Sequence, residues 1–561
     1  MSIAAGPNAA VNDLAERFWE GILERDPVWA TVLGDERYND RWPDLGSDGR
    51  AAEASALRSA LAEARAIPAD GLDPEQLITR DLVILISENG LEQLEQRQYQ
   101  IGIDHMTGPQ VWPAEYAQYQ PADTPERLEK VLARHSAFPA MVEQYISTLA
   151  EGVADGRTSA AVPVRRAIEQ VDRMLAMSPD AHPASSMLNV GDQDRDRVTA
   201  SVDRHIFAGL RRLRSYLADE YQPHARREPG LSSTPGGDDA YRLAIRVQTS
   251  LDTSAEDVHA FGMSDLETIE AEKDEIARNL GHADRHAMRA ALADDPANHT
   301  DDPQAFVRLA QDQTDRAYGQ APNYFGRLPR ANCIVKAVEA YREAESPPAF
   351  YMPQSLDASR QAQYYINTYQ PSERQLHRLA AITFHEATPG HHFQIAIEME
   401  LEGLPPFRTL GARIAGGAYV EGWGLYTERL ADEMGLYATE QERFGMLEAQ
   451  SFRAARLVVD SGLHAMGWSR EQAIAFMHER GSLPMVDAEI EVDRYTVFPA
   501  QALCYKLGQR EIERARAEVS EAMGDRFDLR AFHDEVLGHG SLPLATLRRE
   551  ILGWVETAVG S

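Results

Sequence analysis

Apolar positions recur at helical spacing through most of the chain. Over 123–154, Leu128, Val131, Leu132, Phe138, Met141, Val142 and Tyr145 fall on one stripe. Similar stripes fill 53–64, 76–97, 197–222, 255–280 and 440–466. Polar stretches bearing Gly and Pro separate them at 40–49, 104–122, 179–196, 223–239 and 293–304. None of these is long enough to be a disordered domain, and no fixed-period repeat sets up a solenoid. One region departs from the pattern. Residues 322–370 mix aromatic and β-branched residues with Pro and polar turns, which predicts a small β-meander. Its last run, Tyr364 to Thr368, reads either as an edge strand offering its backbone, with Tyr365 and Asn367, to an extended substrate or as the rim of a hairpin. The expected architecture is one mainly α-helical body over 1–561. It divides into a helical half, 1–240, and a half, 241–561, that carries the meander and the candidate site.

Charge narrows the partners. With 88 acidic against 56 basic residues in 561, the formal net charge is −32, which disfavours a phosphate backbone as partner because such binding relies on Lys and Arg. The basic residues are nearly all arginine, the lysines being Lys130, Lys273, Lys336 and Lys506. The opening MSIAAGPNAAVNDLAERFWEG has no basic run followed by an apolar one, and no stretch of 18 uncharged apolar residues occurs, so the expectation is a cytoplasmic protein without a membrane partner. Cys333 and Cys504 are too few for a disulfide framework or a cysteine metal cluster.

The chemistry concentrates in Phe384-His385-Glu386-Ala387-Thr388-Pro389-Gly390-His391-His392. In the zinc-protease pattern H-E-x-x-H, two histidines one helical turn apart reach one metal and the glutamate serves as general base on the attacking water. Here the fifth position is Pro389, which cannot ligate. At roughly 100° per residue, His391 would face away from His385 on a regular helix, and His392 would align but lie about 10 Å further along. Pro389 cannot donate an amide N–H and crowds the carbonyl of His385, while Gly390 tolerates unusual dihedrals. A bulge absorbing two residues would return His391 to the face of His385. His391 is therefore the preferred second ligand and His392 the reserve.

A zinc site needs a third protein ligand and an open position. Glu421, 30 residues after His391 in Ala418-Tyr419-Val420-Glu421-Gly422-Trp423-Gly424, is the candidate. Glu428, two turns further along the same face, is either a supporting carboxylate or an ordinary surface charge.

With these motifs in place, the chain resembles the domain of unknown function 885 family, prokaryotic proteins regarded as metallopeptidases. The match runs through H-E-x-x-P-G-H at His385 to His391 and E-G-W at Glu421 to Trp423. It extends to Ala30–Asp35, to Arg456–His464 with Trp468, and to Arg494-Tyr495 through Pro499, Gln501, Tyr505 and Gly508. Phe532-His533-Asp534 to Pro543-Leu544 also fits. The resemblance implies a gluzincin-related, oligopeptidase-like fold with a deep central cleft, a zinc ion and hydrolysis of peptides.

Peptide hydrolysis assigns the remaining roles. Glu386 would move the proton from water to the leaving amine, and a donor must meet the oxyanion. Tyr495 and Tyr505 are both candidates for that donor, each otherwise a core tyrosine. Arg494 either holds a peptide C-terminal carboxylate through two hydrogen bonds or forms an ion pair with Asp493 or another acid. Asp460 and His464, at i and i+4, either orient a ligand or form a helix-surface pair. His/His/Glu ligation makes zinc the default, with manganese or cobalt as alternatives. The leading expectation is a zinc peptidase acting on short peptides. The alternatives are a metallohydrolase of a non-peptide amide or acyl bond and a metal-free helical binding protein.

Overall fold

The computed structural model describes residues 6–339, 343, 346–354, 360–411 and 413–560, with residues 559 and 560 described by backbone alone. Parts of the expected meander, 340–342, 344–345 and 355–359, lie outside the described residues. The chain is mainly helical with one small sheet. The stripes read along the sequence become the helices Ser47–Ala66, Pro74–Glu95, Pro125–Ala154, Ala255–Asn279 and Glu440–Ala465. Long amphipathic runs repeat their signal over many turns, which is why they are legible. Among the described residues no helix is long and apolar enough to cross a membrane.

The chain forms two compact units. The first comprises Met1–Leu243 with Leu463–Arg470 and Ile490–Pro499, and the second Ala244–Gly462, Glu471–Glu489 and Ala500–Ser561. Two later segments thus return to the first unit after the chain has entered the second at Ala244. The first unit is built on the helix Pro125–Ala154, whose Val131, Phe138, Val142 and Leu149 are wholly buried beside Val164, Leu210 and Leu213.

In the second unit the sheet consists of β1 (Cys333–Ala337), β2 (Ala349–Met352) and β3 (Ala362–Ile366), in the order β1-β3-β2. β3 runs parallel to β1 and antiparallel to β2. The expected meander is thus a mixed sheet. The strand read as an edge is its centre, buried at all five positions, so its backbone is already paired on both sides. The edge on this side is β2. Tyr364 and Ile366 pack with Phe306, Ala310 and Val335 and with Leu379 at the start of helix α1 (Leu379–Glu386). Burying six of its eight residues, α1 lies inside the unit, and it delivers His385 and Glu386 at its last turn.

Candidate metal centre

Helix α1 stops at Glu386, and α2 (His391–Met399) starts five residues later. The expected bulge is therefore a complete break. Gly390 makes it possible: a Cβ there would stand 1.9 Å from the carbonyl oxygen of His385 and 2.4 Å from that of Phe384. Because the chain closes this tightly on itself, the His385 and His391 rings come within 4.7 Å, nearly perpendicular at 84°.

The third group comes from α3 (Arg413–Glu433). Glu421 Oε2 lies 3.7 Å from His385 Nε2 and 3.5 Å from His391 Nε2. A tetrahedral ion with bonds of about 2.1 Å would separate its ligand atoms by about 3.4 Å, close to both of these separations. The ligand atoms of His385, Glu386 and His391 also lie within 4.8 Å of one another, which sets Glu386 beside the position an ion would take. His391 is 12% exposed and Glu421 24%, so the group opens to one side. Nδ1 of His391 is buried without a hydrogen-bond partner among the described residues.

The E-G-W-G run acts as a unit. Trp423 Nε1 donates to the Pro389 carbonyl at 3.0 Å and so clamps the break between α1 and α2. Gly424 makes room for a ligand, since a Cβ there would lie 2.8 Å from the His385 ring. Gly422 meets Gly508 of helix α5 (Cys504–Met523), where a Cβ would fall 2.4 Å from the Gly508 Cα. Neither contact tolerates a side chain, so α3 and α5 cross backbone to backbone and Tyr505 is brought to the site. Its ring stacks at 6.3 Å from that of His385.

Behind His385, Nδ1 donates to Glu428 Oε1 at 2.9 Å. Glu428 is fully buried and accepts from Gln450 Nε2 at 3.1 Å, and Gln450 Oε1 accepts from Lys506 Nζ at 2.7 Å. Glu428 is thus the supporting carboxylate that fixes the tautomer presenting Nε2 outward. Burial alone would depress the His385 imidazolium, but the Glu421 and Glu428 carboxylates on either side raise its pKa to about 9. The Glu421 carboxyl is held well below its ordinary range, because the neighbouring His385 and His391 imidazoles outweigh its own desolvation.

A cavity of about 290 Å³ opens here, lined by Phe350 and Tyr351 of β2, by His385, Glu386, His391 and Glu421, and by Arg453, Arg456 and Tyr505 among others. Every lining residue belongs to the second unit. Tyr351 and the two arginines are the participants that sequence reasoning missed.

Several predicted residues are engaged elsewhere. His392, the reserve ligand, donates Nε2–H to the Ala331 carbonyl and accepts the Tyr351 hydroxyl at Nδ1, both at 3.1 Å, and burial lowers its pKa to about 4. Tyr495 donates its hydroxyl to Glu491 at 2.7 Å, and Arg494 pairs with the same carboxylate at 3.0 Å. Both stand in the first unit. Asp460 accepts from the Ala500 amide at 3.0 Å. His464 accepts from the Leu231 amide and donates to the Tyr495 carbonyl, and burial lowers its pKa to about 3. Asn367 donates to the carbonyls of Glu343 and Ser346, and the Tyr365 hydroxyl donates to Gln363. These are structural roles: His392, Asp460, His464 and Asn367 meet backbone groups remote along the chain, which spacing could not reveal, whereas Tyr495 and Arg494 share the local carboxylate Glu491 and Tyr365 meets Gln363.

The family model described as "Bacterial protein of unknown function (DUF885)" matches residues 27–551. The chain belongs to the DUF885 family. Two solved structures share the fold of this DUF885 protein. The first, described as "the putative lipoprotein from Colwellia psychrerythraea", is 24% identical, with a TM-score of 0.90 over 99% of this chain and 100% of the other. The second, described as "a putative lipoprotein of unknown function from Shewanella oneidensis", is 19% identical, with a TM-score of 0.79 over 98% of this chain and 100% of that one. No curated protein matches.

Proposed function

We propose that this DUF885 protein is a zinc-dependent peptidase that hydrolyses short peptides, with a gluzincin-related active site. The observation that carries the reading is the convergence of His385 Nε2 and His391 Nε2 on Glu421 Oε2, at 3.7 and 3.5 Å, with Glu386 alongside. A zinc ion held by those three residues would polarise the scissile carbonyl and acidify the attacking water. Glu386 takes the proton from that water and returns it to the leaving amine as the C–N bond breaks. The Tyr505 phenol, stacked beside His385, donates to the oxyanion that develops on the carbonyl. Glu428 holds the His385 ring in place. β2, at the sheet edge with Phe350 and Tyr351 on the cavity, supplies the backbone with which an extended peptide would pair.

The test is elemental analysis of the wild type beside a His385→Ala/His391→Ala variant, followed by peptide-library profiling with Glu386→Gln as control. About one zinc per chain is expected in the wild type and none in the variant. No metal in either after zinc is supplied would overturn the reading. An intact library alongside a cleaved N-acyl metabolite would move it to a hydrolase of non-peptide amides.

A further inference from the structure

The chain carries a net charge of −32, yet two of its arginines, Arg453 and Arg456, line the cavity that holds the candidate metal ligands. They lie one turn apart on helix α4 (Glu440–Ala465). Arg453 leans toward the carboxylate behind His385, its Nη2 standing 3.8 Å from Glu428 Oε1. Arg456 is only 5% exposed, and its guanidinium carbon lies 4.0 Å from the Phe452 ring and 4.5 Å from the Tyr505 ring. Stacking of this kind uses the faces of a guanidinium and fixes its plane, so its N–H edge meets acceptors in a set orientation. A planar fork held by aromatic rings suits a carboxylate, which accepts two parallel hydrogen bonds. Arg494, which the sequence offered either for this task or for an ion pair with a nearby acid, is paired with Glu491.

Reach sets the size of the ligand. The Tyr505 ring is 6.3 Å from the His385 ring and 4.5 Å from the Arg456 guanidinium. Arg456 therefore lies no further than those two steps together, about 11 Å, from the ligand imidazole, which is at most about three extended residues. The cavity of about 290 Å³ is correspondingly small.

We propose that Arg456, assisted by Arg453, binds the free C-terminal carboxylate of the substrate, so that the enzyme removes a short C-terminal piece and takes peptides with an unblocked C-terminus. Water adds across the peptide bond, leaving a carboxylate on the upstream fragment and an amine on the released piece. This inference rests on the peptidase reading but has its own readout.

The probes are N-acetyl-Ala-Ala-Phe as the free acid and as the C-terminal amide. Zinc-supplied wild type is assayed for turnover, and the Glu386→Gln protein for binding by calorimetry. The free acid is expected to bind about tenfold or more tightly than the amide and to be cleaved with a correspondingly lower KM. Arg456→Gln should bring the acid-to-amide ratio close to one in both measurements, and Arg456→Lys, which keeps the charge but loses the fork, should restore it in part. The acid–amide comparison in the unsubstituted chain requires no variant to fold. Equal binding and equal turnover of the two probes, with turnover lost in Glu386→Gln, would overturn the carboxylate anchor and leave the peptidase standing. A binding preference lost in Arg456→Gln without turnover of any peptide would sink the peptidase and keep the anchor. Neither preference nor turnover would remove both.

Discussion

His385 and His464 are both fully enclosed, each on a helix and each with a carboxylate nearby in the sequence or the fold. Around His464, both ring nitrogens are consumed by main-chain groups, the Leu231 amide and the Tyr495 carbonyl, while Asp460 is consumed by the Ala500 amide. Around His385, only Nδ1 is consumed; Nε2 faces Glu421 and its neighbour His391 across an opening. The first arrangement is a neutral histidine acting as mortar, the second a histidine whose proton is held by carboxylates on either side. Both pair the same residue types, an imidazole and a carboxylate. What differs is whether the backbone has already used the lone pairs.

The sharpest way to break this contrast is Glu386→Gln. We expect kcat to fall by about 10²–10⁴ with zinc content unchanged, the range for losing a general base. Undiminished turnover would make the His385 cluster as inert as that of His464. Next in size, Tyr505→Phe should lower kcat by about 10²-fold, as for removal of one oxyanion donor. Tyr495→Phe should leave turnover unchanged and lower stability by about 1 kcal/mol, the usual size of one buried hydrogen bond, here that to Glu491. Paired kinetics and denaturant melts separate the two tyrosines. Glu428→Gln should then weaken zinc affinity by about 10–100-fold in chelator competition, because the ligand imidazole loses its charged acceptor. Gly424→Ala should act in the same direction, through the His385 ring it would displace.

The smallest effect is on pH dependence. In chelator-treated protein, His385 has its pKa raised from 6.5 to about 9, so its contribution to stability is complete below pH 6.5 and is lost as pH rises toward 9. His464 is lowered from 6.5 to about 3, so its contribution is present above pH 6.5 and is lost as pH falls toward 3. Melting temperature should therefore peak near pH 6.5 and decline on both sides. Zinc should flatten the alkaline side alone, since a bound ion replaces the proton on His385. An alkaline decline unchanged by zinc would place the ion elsewhere.

The helices were legible because a stripe such as Leu128 to Tyr145 repeats its message turn after turn. The order of the sheet was not. Its strands span only four or five residues, and nothing local tells Ala362–Ile366 that Cys333–Ala337 lies parallel on one side and Ala349–Met352 antiparallel on the other. One signal was there to use: Tyr364, Tyr365 and Ile366 are apolar on successive positions, as expected of a strand covered on both faces. At the centre, His385, His391 and Glu421 could be read because metal chemistry restricts ligand types, and because Pro389-Gly390 flags the departure from a regular helix. Arg453 and Arg456 could not, since in a chain whose cations are nearly all arginine a guanidinium carries no message until the fold shows what it faces. Gly422 and Gly424 were visible as parts of a motif, but their meaning lay in Gly508 and the His385 ring across the fold.

The crossing of Gly422 on Gly508 fastens the helix bearing Glu421 to the helix bearing Tyr505 at a single fulcrum with no slack. Neither helix can slide without driving backbone into backbone, so the reaction chemistry would travel through evolution as one inherited block. Any change in what the cavity admits would then have to come from walls that carry no part of that joint, such as β2 with Phe350 and Tyr351.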